Sequence, residues 1–218
     1  MKYQYLLFDL DGTLTDSGEG IMNSVRYALD KMGKTIPDET VLRRFIGPPL
    51  IKSFEQFCGM EPEEAASAVE TYREYFSVTG LLENAVYEGI RELLEELRKA
   101  GYRLVVATSK PEVYSVRIIE HFKLDGYFDC VAGSSLDESR NTKEAVIRYA
   151  LERLGIADFR SVLMIGDRKH DAEGAAACGV DCLGVLWGYG DGEELMQAGV
   201  AATAEKPRDI LRFLENRT

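Results

Sequence analysis

Short apolar runs alternate along the chain with stretches of helical periodicity. Tyr5–Phe8 is such a run, ends at Asp9, and reads as a buried strand. Residues 102–107, 128–132, 162–165 and 182–186 predict further strands. Between them, Ile90, Leu93, Leu94 and Leu97 recur at i, i+3, i+4 and i+7, an amphipathic helix that Gly101 stops. Helices are also predicted over residues 112–122, through Ile147, Ala150, Leu151 and Leu154 to Gly155, over a small-residue stretch ending at Cys178, and over 193–198 and 207–214. Strands that alternate with helices pair in parallel, beneath helices on both faces. Residues 16–82 break the alternation. This stretch is helical in texture, with breaks at Gly33, Gly47-Pro48-Pro49, Gly59 and Pro62, and it puts Ile21, Val25, Ala28, Leu29 and Met32 on one helix face.

The expected fold class is therefore α/β: a Rossmann-like parallel-sheet core, residues 1–15 and 83–218, with an inserted α-helical cap domain, residues 16–82. A length of 218 residues suits one domain, or one core carrying a smaller insert. With 45% hydrophobic and 29% charged residues, a packed soluble core is the default and disorder is not. Against 37 Asp and Glu stand 26 Lys and Arg, a net charge of −11. That balance excludes broad electrostatic binding to nucleic acid polymers or anionic membranes, which needs clustered cations. No segment approaches the roughly 20 apolar residues of a membrane span, and the N-terminus lacks a basic-then-apolar export pattern, so a cytoplasmic location is expected. Cys58, Cys130, Cys178 and Cys182 do not form a disulfide pattern and read as free thiols.

In open α/β sheets, ligands bind beyond the carboxyl ends of the strands. Here the first strand ends in Asp9-Leu10-Asp11-Gly12-Thr13, the second in Thr108-Ser109-Lys110, and another in Gly166-Asp167, with Asp171 four residues on. A dinucleotide turn of the form Gly-x-Gly-x-x-Gly is missing after the first strand, and no Gly-x-x-x-x-Gly-Lys-Ser/Thr loop occurs. The Asp9-Leu10-Asp11 start fails as a calcium loop because its sixth position is Leu14, and two histidines are too few for a His-rich zinc site. What remains is an acidic rim. Two aspartates two residues apart repel, which favours a proton on one of them and separates their roles into nucleophile and general acid. Asp167 and Asp171 add oxygen ligands of the kind Mg²⁺ takes alongside substrate phosphate. Asn141-Thr142-Lys143-Glu144 reads as a helix start with Asn141 as its cap. Lys143 would then oppose the helix dipole unless it serves a phosphate beside the carboxylates.

Taken in order, Asp9-Leu10-Asp11-Gly12-Thr13-Leu14, Thr108, Lys143 and Gly166-Asp167-Arg168-Lys169-His170-Asp171 resemble the four motifs of the haloacid dehalogenase superfamily, over nearly the whole chain. The cap position is similar to the α-helical cap subclass, and the detail to its phosphoglycolate phosphatase-like and 5′-nucleotidase-like branches. The resemblance implies a Mg²⁺-dependent phosphatase for a small phosphomonoester. Asp9 would be the nucleophile that becomes an aspartyl phosphate, and Asp11 the general acid and then base. Thr108 and Lys143 would bind the phosphoryl oxygens. Asp9, Asp11 through its backbone carbonyl, and Asp167 would hold the metal, with Asp171 in or beside that shell. Ser109 stands where the phosphatase branch often has Asn and is expected to touch the substrate. Arg43, Arg44 and the loop over residues 45–50, with its Gly-Pro-Pro turn, are the candidates for substrate selection, and Arg44 for holding an anionic substrate tail. Trp187-Gly188-Tyr189-Gly190 follows a strand end, where ligand contact and packing are equally good readings.

Linkers near residues 14–16 and 82–87 would let the cap open and close. A phosphomutase, a pyrophosphatase and, last, a non-catalytic phosphate sensor are the alternatives. The expected partner is a small phosphorylated metabolite, and the assembly a monomer or dimer. Locally, Lys143, Mg²⁺ and one proton on Asp11 would neutralise the four carboxylates, so the acidity of the whole chain does not oppose a phosphate ester.

Overall fold

The computed structural model describes residues 2–137 and 139–217; Met1 and Thr218, the ends of the expected core, lie outside the described residues, as does Glu138. The chain forms two compact units, Met1–Thr15 with Val86–Thr218, and Asp16–Ala85. The second unit is helical: α1 (Gly18–Lys31), α2 (Glu39–Arg43), α3 (Leu50–Cys58), α4 (Pro62–Tyr75) and a π-helical turn at Phe76–Gly80. Ile21, Val25, Ala28 and Leu29 are buried on α1, the face that their spacing picks out. Met32 instead ends the helix as its C-cap. Pro62 opens α4 at a position where a missing N–H costs nothing. This unit runs past residue 82 because Glu83 is bonded into it. The Glu83 carbonyl accepts from Gly20 N–H at 3.0 Å, and its carboxylate accepts from Asn23 at 3.1 Å and Tyr75 at 3.0 Å.

The other unit is built on a six-stranded sheet among the described residues: β1 (Tyr5–Phe8), β2 (Arg103–Pro111), β3 (Cys130–Ser134), β4 (Val162–Gly166), β5 (Asp181–Val185) and β6 (Ala202–Ala204). Every pairing is parallel, in the order β3-β2-β1-β4-β5-β6. Parallel strands need crossovers, and helices supply them: α5 (Ile90–Lys99), α6 (Glu112–His121), α7 (Lys143–Arg153), α8 (Lys169–Ala177) and α9 (Gly192–Gln197), while α10 (Arg208–Glu215) follows the last strand. Leu7, Val105, Ala107 and Met164 pack with Val146, Ile147 and Ala150 of α7 and Ala172 and Ala175 of α8. The alternate positions Leu6, Leu104, Val106, Leu163 and Ile165 are equally buried, so both faces are covered and the strands read as continuous apolar runs. The expected α/β Rossmann-like core is the one observed.

Local differences have local causes. β3 starts at Cys130 because a tight 3₁₀ turn occupies Asp125–Tyr127 and Phe128 spends its ring edge-on against Phe8, 6.3 Å between centroids. β6 was not expected: Ala-Thr-Ala has no apolar pattern, and it is a strand because β5 offers it a ladder, flanked by Ala201 N–H to Cys182 O at 2.8 Å. Among the described residues, no helix is long and apolar enough to cross a membrane.

Candidate active site

Register brings the chemistry together. Phe8 pairs with Val106 on one side and Ile165 on the other, so the residues one or two positions further on emerge close together. They are Asp9 beyond β1, Thr108 in β2, and Asp167 beyond β4. Asp9 N–H continues the ladder to Ile165 O at 2.9 Å. The chain then has to turn away within a few residues. Gly12 does so at φ +80, and a Cβ there would lie 2.1 Å from Asp167 Oδ2. No other residue fits that conformation and that contact.

Asp9, Asp167 and Asp171 each offer a carboxylate oxygen within 4.8 Å of the others, and Asp167 and Asp171 are buried to 0% and 1% exposure. Lys143 enters from the start of α7, itself buried, with Nζ 2.8 Å from Asp9 Oδ1 and 2.7 Å from Asp171 Oδ1. It also donates to Ala107 O at 3.1 Å. The cap of α7 is Thr142 rather than the expected Asn141: the Thr142 hydroxyl accepts from Ala145 N–H at 3.2 Å, which makes Lys143 the first helical residue. Asp171 is spoken for on both oxygens, since Oδ2 accepts from Arg168 N–H at 3.1 Å and closes the start of α8. Thr108 favours the charged form of Asp9, and its Oγ1 accepts from Lys110 N–H at 3.2 Å. Ser109 sits half-buried between them.

Burial sets the electrostatics. It raises the Asp9 carboxyl above its ordinary range, although Lys143 pulls the other way and Asp171 adds to the rise. Asp167 is pushed up to about 8 by burial and then by the charges of Asp171 and Asp9. Burial alone would lower the Lys143 ammonium; the charges of Asp171 and Asp9 outweigh it and hold the group above the ordinary lysine value. The cluster therefore holds more negative charge than one lysine compensates. An additional cation or a proton is favourable there.

One contributor was not singled out in the sequence. Lys110 places Nζ 2.7 Å from Asp11 Oδ2, with both side chains mostly buried. It lies in the strand-end triplet, but a lysine after a strand reads by default as solvated. Counting it, the four carboxylates face two lysines. The expected aromatic loop after β5 also reaches the site: Tyr189 N–H donates to Asp167 Oδ2 at 2.8 Å, and the Trp187 indole donates to Thr13 O at 3.0 Å. The aromatic segment thus acts through its backbone and its packing. In the helical unit, Arg43 pairs with Glu39 at 2.7 Å, and the guanidinium of the exposed Arg44 lies 4.2 Å from the Phe57 ring centroid. Glu194 binds Arg168 Nε at 2.9 Å and Lys169 N–H at 2.8 Å, which fixes the basic start of α8.

A parallel sheet whose central strand ends in an Asp-x-Asp pair, beside a buried lysine and a second acidic strand end, defines a class. The chain belongs to the haloacid dehalogenase-like hydrolase family, which matches residues 6–185. It is 50% identical over 195 residues to a 5′-nucleotidase of Pseudomonas aeruginosa, covering 89% of this chain and 88% of that one. It is 41% identical over 213 residues to the tyrosine-protein kinase PtkA of Mycobacterium tuberculosis, covering 95% of this chain and 72% of the relative. A solved structure described as a predicted phosphatase from Clostridium acetobutylicum matches 99% of this chain and 100% of its own, at 47% identity and a TM-score of 0.93. By its family and those of its relatives that are named as phosphatases, the protein is a phosphoric monoester hydrolase.

Proposed function

We propose that the protein hydrolyses a small phosphomonoester with Mg²⁺ through an aspartyl phosphate on Asp9. The observation that carries this reading is the buried Asp9, Asp167 and Asp171 cluster with Lys143 bridging two of its members. The residues suit Mg²⁺: the donors are all carboxylate oxygens, and their excess charge shows in the upward shift of Asp167. Asp9 and Asp167 would hold the ion with the Asp11 carbonyl, and Asp171, committed to Lys143 and Arg168, would support them. When bound, the ion supplies positive charge to the phosphoryl oxygens.

In the first step a carboxylate oxygen of Asp9 bonds to phosphorus as the ester P–O bond breaks. The bonding pair leaves on the ester oxygen, and the Asp11 proton goes to it, releasing an alcohol. In the second step Asp11, now a carboxylate, takes a proton from water, whose oxygen attacks phosphorus and frees Asp9 and inorganic phosphate. Lys143 and Thr108 hold the phosphoryl oxygens in line. Phosphoryl transfer is mainly positioning and charge neutralisation, and these groups are fixed before substrate arrives.

Of the possible substrates, nucleoside 5′-monophosphates are favoured by the name of the Pseudomonas relative, with phosphoglycolate and sugar phosphates next. The helical unit enters the chain directly after the Asp9 loop, which supports its role as a substrate-selecting cap. The test is phosphate release from a panel of nucleoside monophosphates, phosphoglycolate, sugar phosphates and pyrophosphate, with Mg²⁺ or EDTA, for wild type and Asp9→Asn. Release that needs both Mg²⁺ and Asp9, and no bisphosphate activator, is the expected result. Release indifferent to either would overturn the assignment.

A further inference from the structure

The Asp-x-Asp pair is held by two lysines from different parts of the chain. Lys143, from α7, takes the first aspartate, and Lys110, from the end of β2, takes the second. The Lys110 contact is asymmetric. Its Nζ lies 2.7 Å from Asp11 Oδ2, while Oδ1 of the same carboxylate is buried and has no hydrogen-bond partner among the described residues. The lysine is itself tightly placed. Its side chain is 6% exposed, against 16% for that of Asp11. The ladder between β2 and β3 shifts register between Ala107 and Pro111, and Lys110 N–H turns in to the Thr108 hydroxyl at 3.2 Å. Lys110 O also accepts from Ser115 Oγ, at 3.4 Å. A flexible four-carbon side chain held this way has lost most of its rotamer freedom before any ligand binds.

We infer that Lys110 is a positioning residue for proton transfer: it anchors Asp11 through Oδ2 and so presents Oδ1 to the leaving group. The inference rests on the reading of Asp11 as general acid. A carboxyl group delivers its proton well only when the carrying oxygen is aimed at the ester oxygen as the P–O bond breaks. A carboxylate with two free oxygens and free rotation would divide itself among several poses. Fixing one oxygen to a cation leaves the other as the donor. Lys110 does not touch the phosphoryl group in this account, and its effect should appear only where the leaving group needs a proton.

That requirement gives the experiment. Wild type, Asp11→Asn, Lys110→Met and Lys110→Arg are compared on p-nitrophenyl phosphate, whose leaving group departs unprotonated, and on an alkyl phosphate such as glycerol 2-phosphate. The readout is the ratio of kcat/KM on the aryl ester to kcat/KM on the alkyl ester. A ratio taken within one variant does not depend on how much of it is folded, so a weakened fold cannot imitate the effect. The account expects Asp11→Asn to raise this ratio by at least about 10²-fold. Lys110→Met should raise it by at least about 10-fold, and Lys110→Arg should return it most of the way to the wild-type value. If Asp11→Asn raises the ratio and Lys110→Met leaves it unchanged, the positioning role is overturned while the acid assignment stands. If Asp11→Asn leaves the ratio unchanged, the acid assignment fails and takes this inference with it.

Discussion

Lys143 stands in the first turn of a helix, where a cation opposes the dipole at a cost of about 0.3–1 kcal/mol. Two buried carboxylates at 2.8 and 2.7 Å outweigh that cost. Removing one member of a buried, hydrogen-bonded charge cluster costs about 3–5 kcal/mol, because the remaining charges are left uncompensated. Lys143→Met should therefore lower stability by about that amount in urea denaturation, and abolish phosphate release even at temperatures where the variant is folded. Retained turnover at wild-type rate would separate the lysine from the chemistry. The resemblance to known motifs made Lys143, Asp9 and Asp167 legible in sequence. Lys110 was not, because nothing in a linear reading distinguishes a lysine that turns in at a register shift from one that points to water.

At the scale of elements, the site depends on how closely α7 and α8 approach. A Cβ at Gly174 of α8 would lie 2.8 Å from both Cβ and Cγ of Lys143 and 2.9 Å from Glu144 N. In an exposed helix Gly→Ala gains up to about 1 kcal/mol. Here the added carbon meets the base of the lysine and a backbone atom, neither of which can swing aside. Gly174→Ala should thus lower the melting temperature and reduce kcat, and a rise in both would show that α7 yields freely. The N-terminus of α7 makes a second test. Thr142→Ala should cost about 1 kcal/mol and Asn141→Ala much less, read from denaturation midpoints. The sequence pattern placed that helix but shifted its cap by one residue, since Asn and Thr are both good caps and only the hydrogen bond to Ala145 decides between them. Likewise β1, β4 and β5 were legible as apolar runs, while β6 exists only through its pairing with β5.

Across the whole molecule, a net charge of −11 is distributed over a protein that concentrates carboxylates at one buried cluster. The Asp167 carboxyl, pushed up to about 8, keeps its proton in the folded state over a range where the unfolded chain, near the ordinary aspartate value, has lost it. Its contribution to stability is thus present at pH 4 and is lost as the pH rises through about 8. In EDTA the melting temperature should fall from pH 6 to pH 9. Mg²⁺ must displace that proton, so its stabilising effect should grow over the same interval. At 100 times its Kd the ion contributes about 2.7 kcal/mol, or roughly 5–10 °C for a chain of this size. A Mg²⁺ shift that is the same at pH 6 and pH 9 would contradict the placement of the ion at Asp167.

The nucleophile decides the account, and it can be located chemically. Enzyme turning over p-nitrophenyl phosphate with Mg²⁺ would be quenched in acid, treated with borohydride, which reduces an acyl phosphate to an alcohol, and mapped by peptide mass spectrometry. The account predicts conversion of Asp9 to homoserine, dependent on substrate and absent in Asp9→Asn. Reduction at another residue, or an unmodified Asp9 peptide from an enzyme caught in steady turnover, would contradict it.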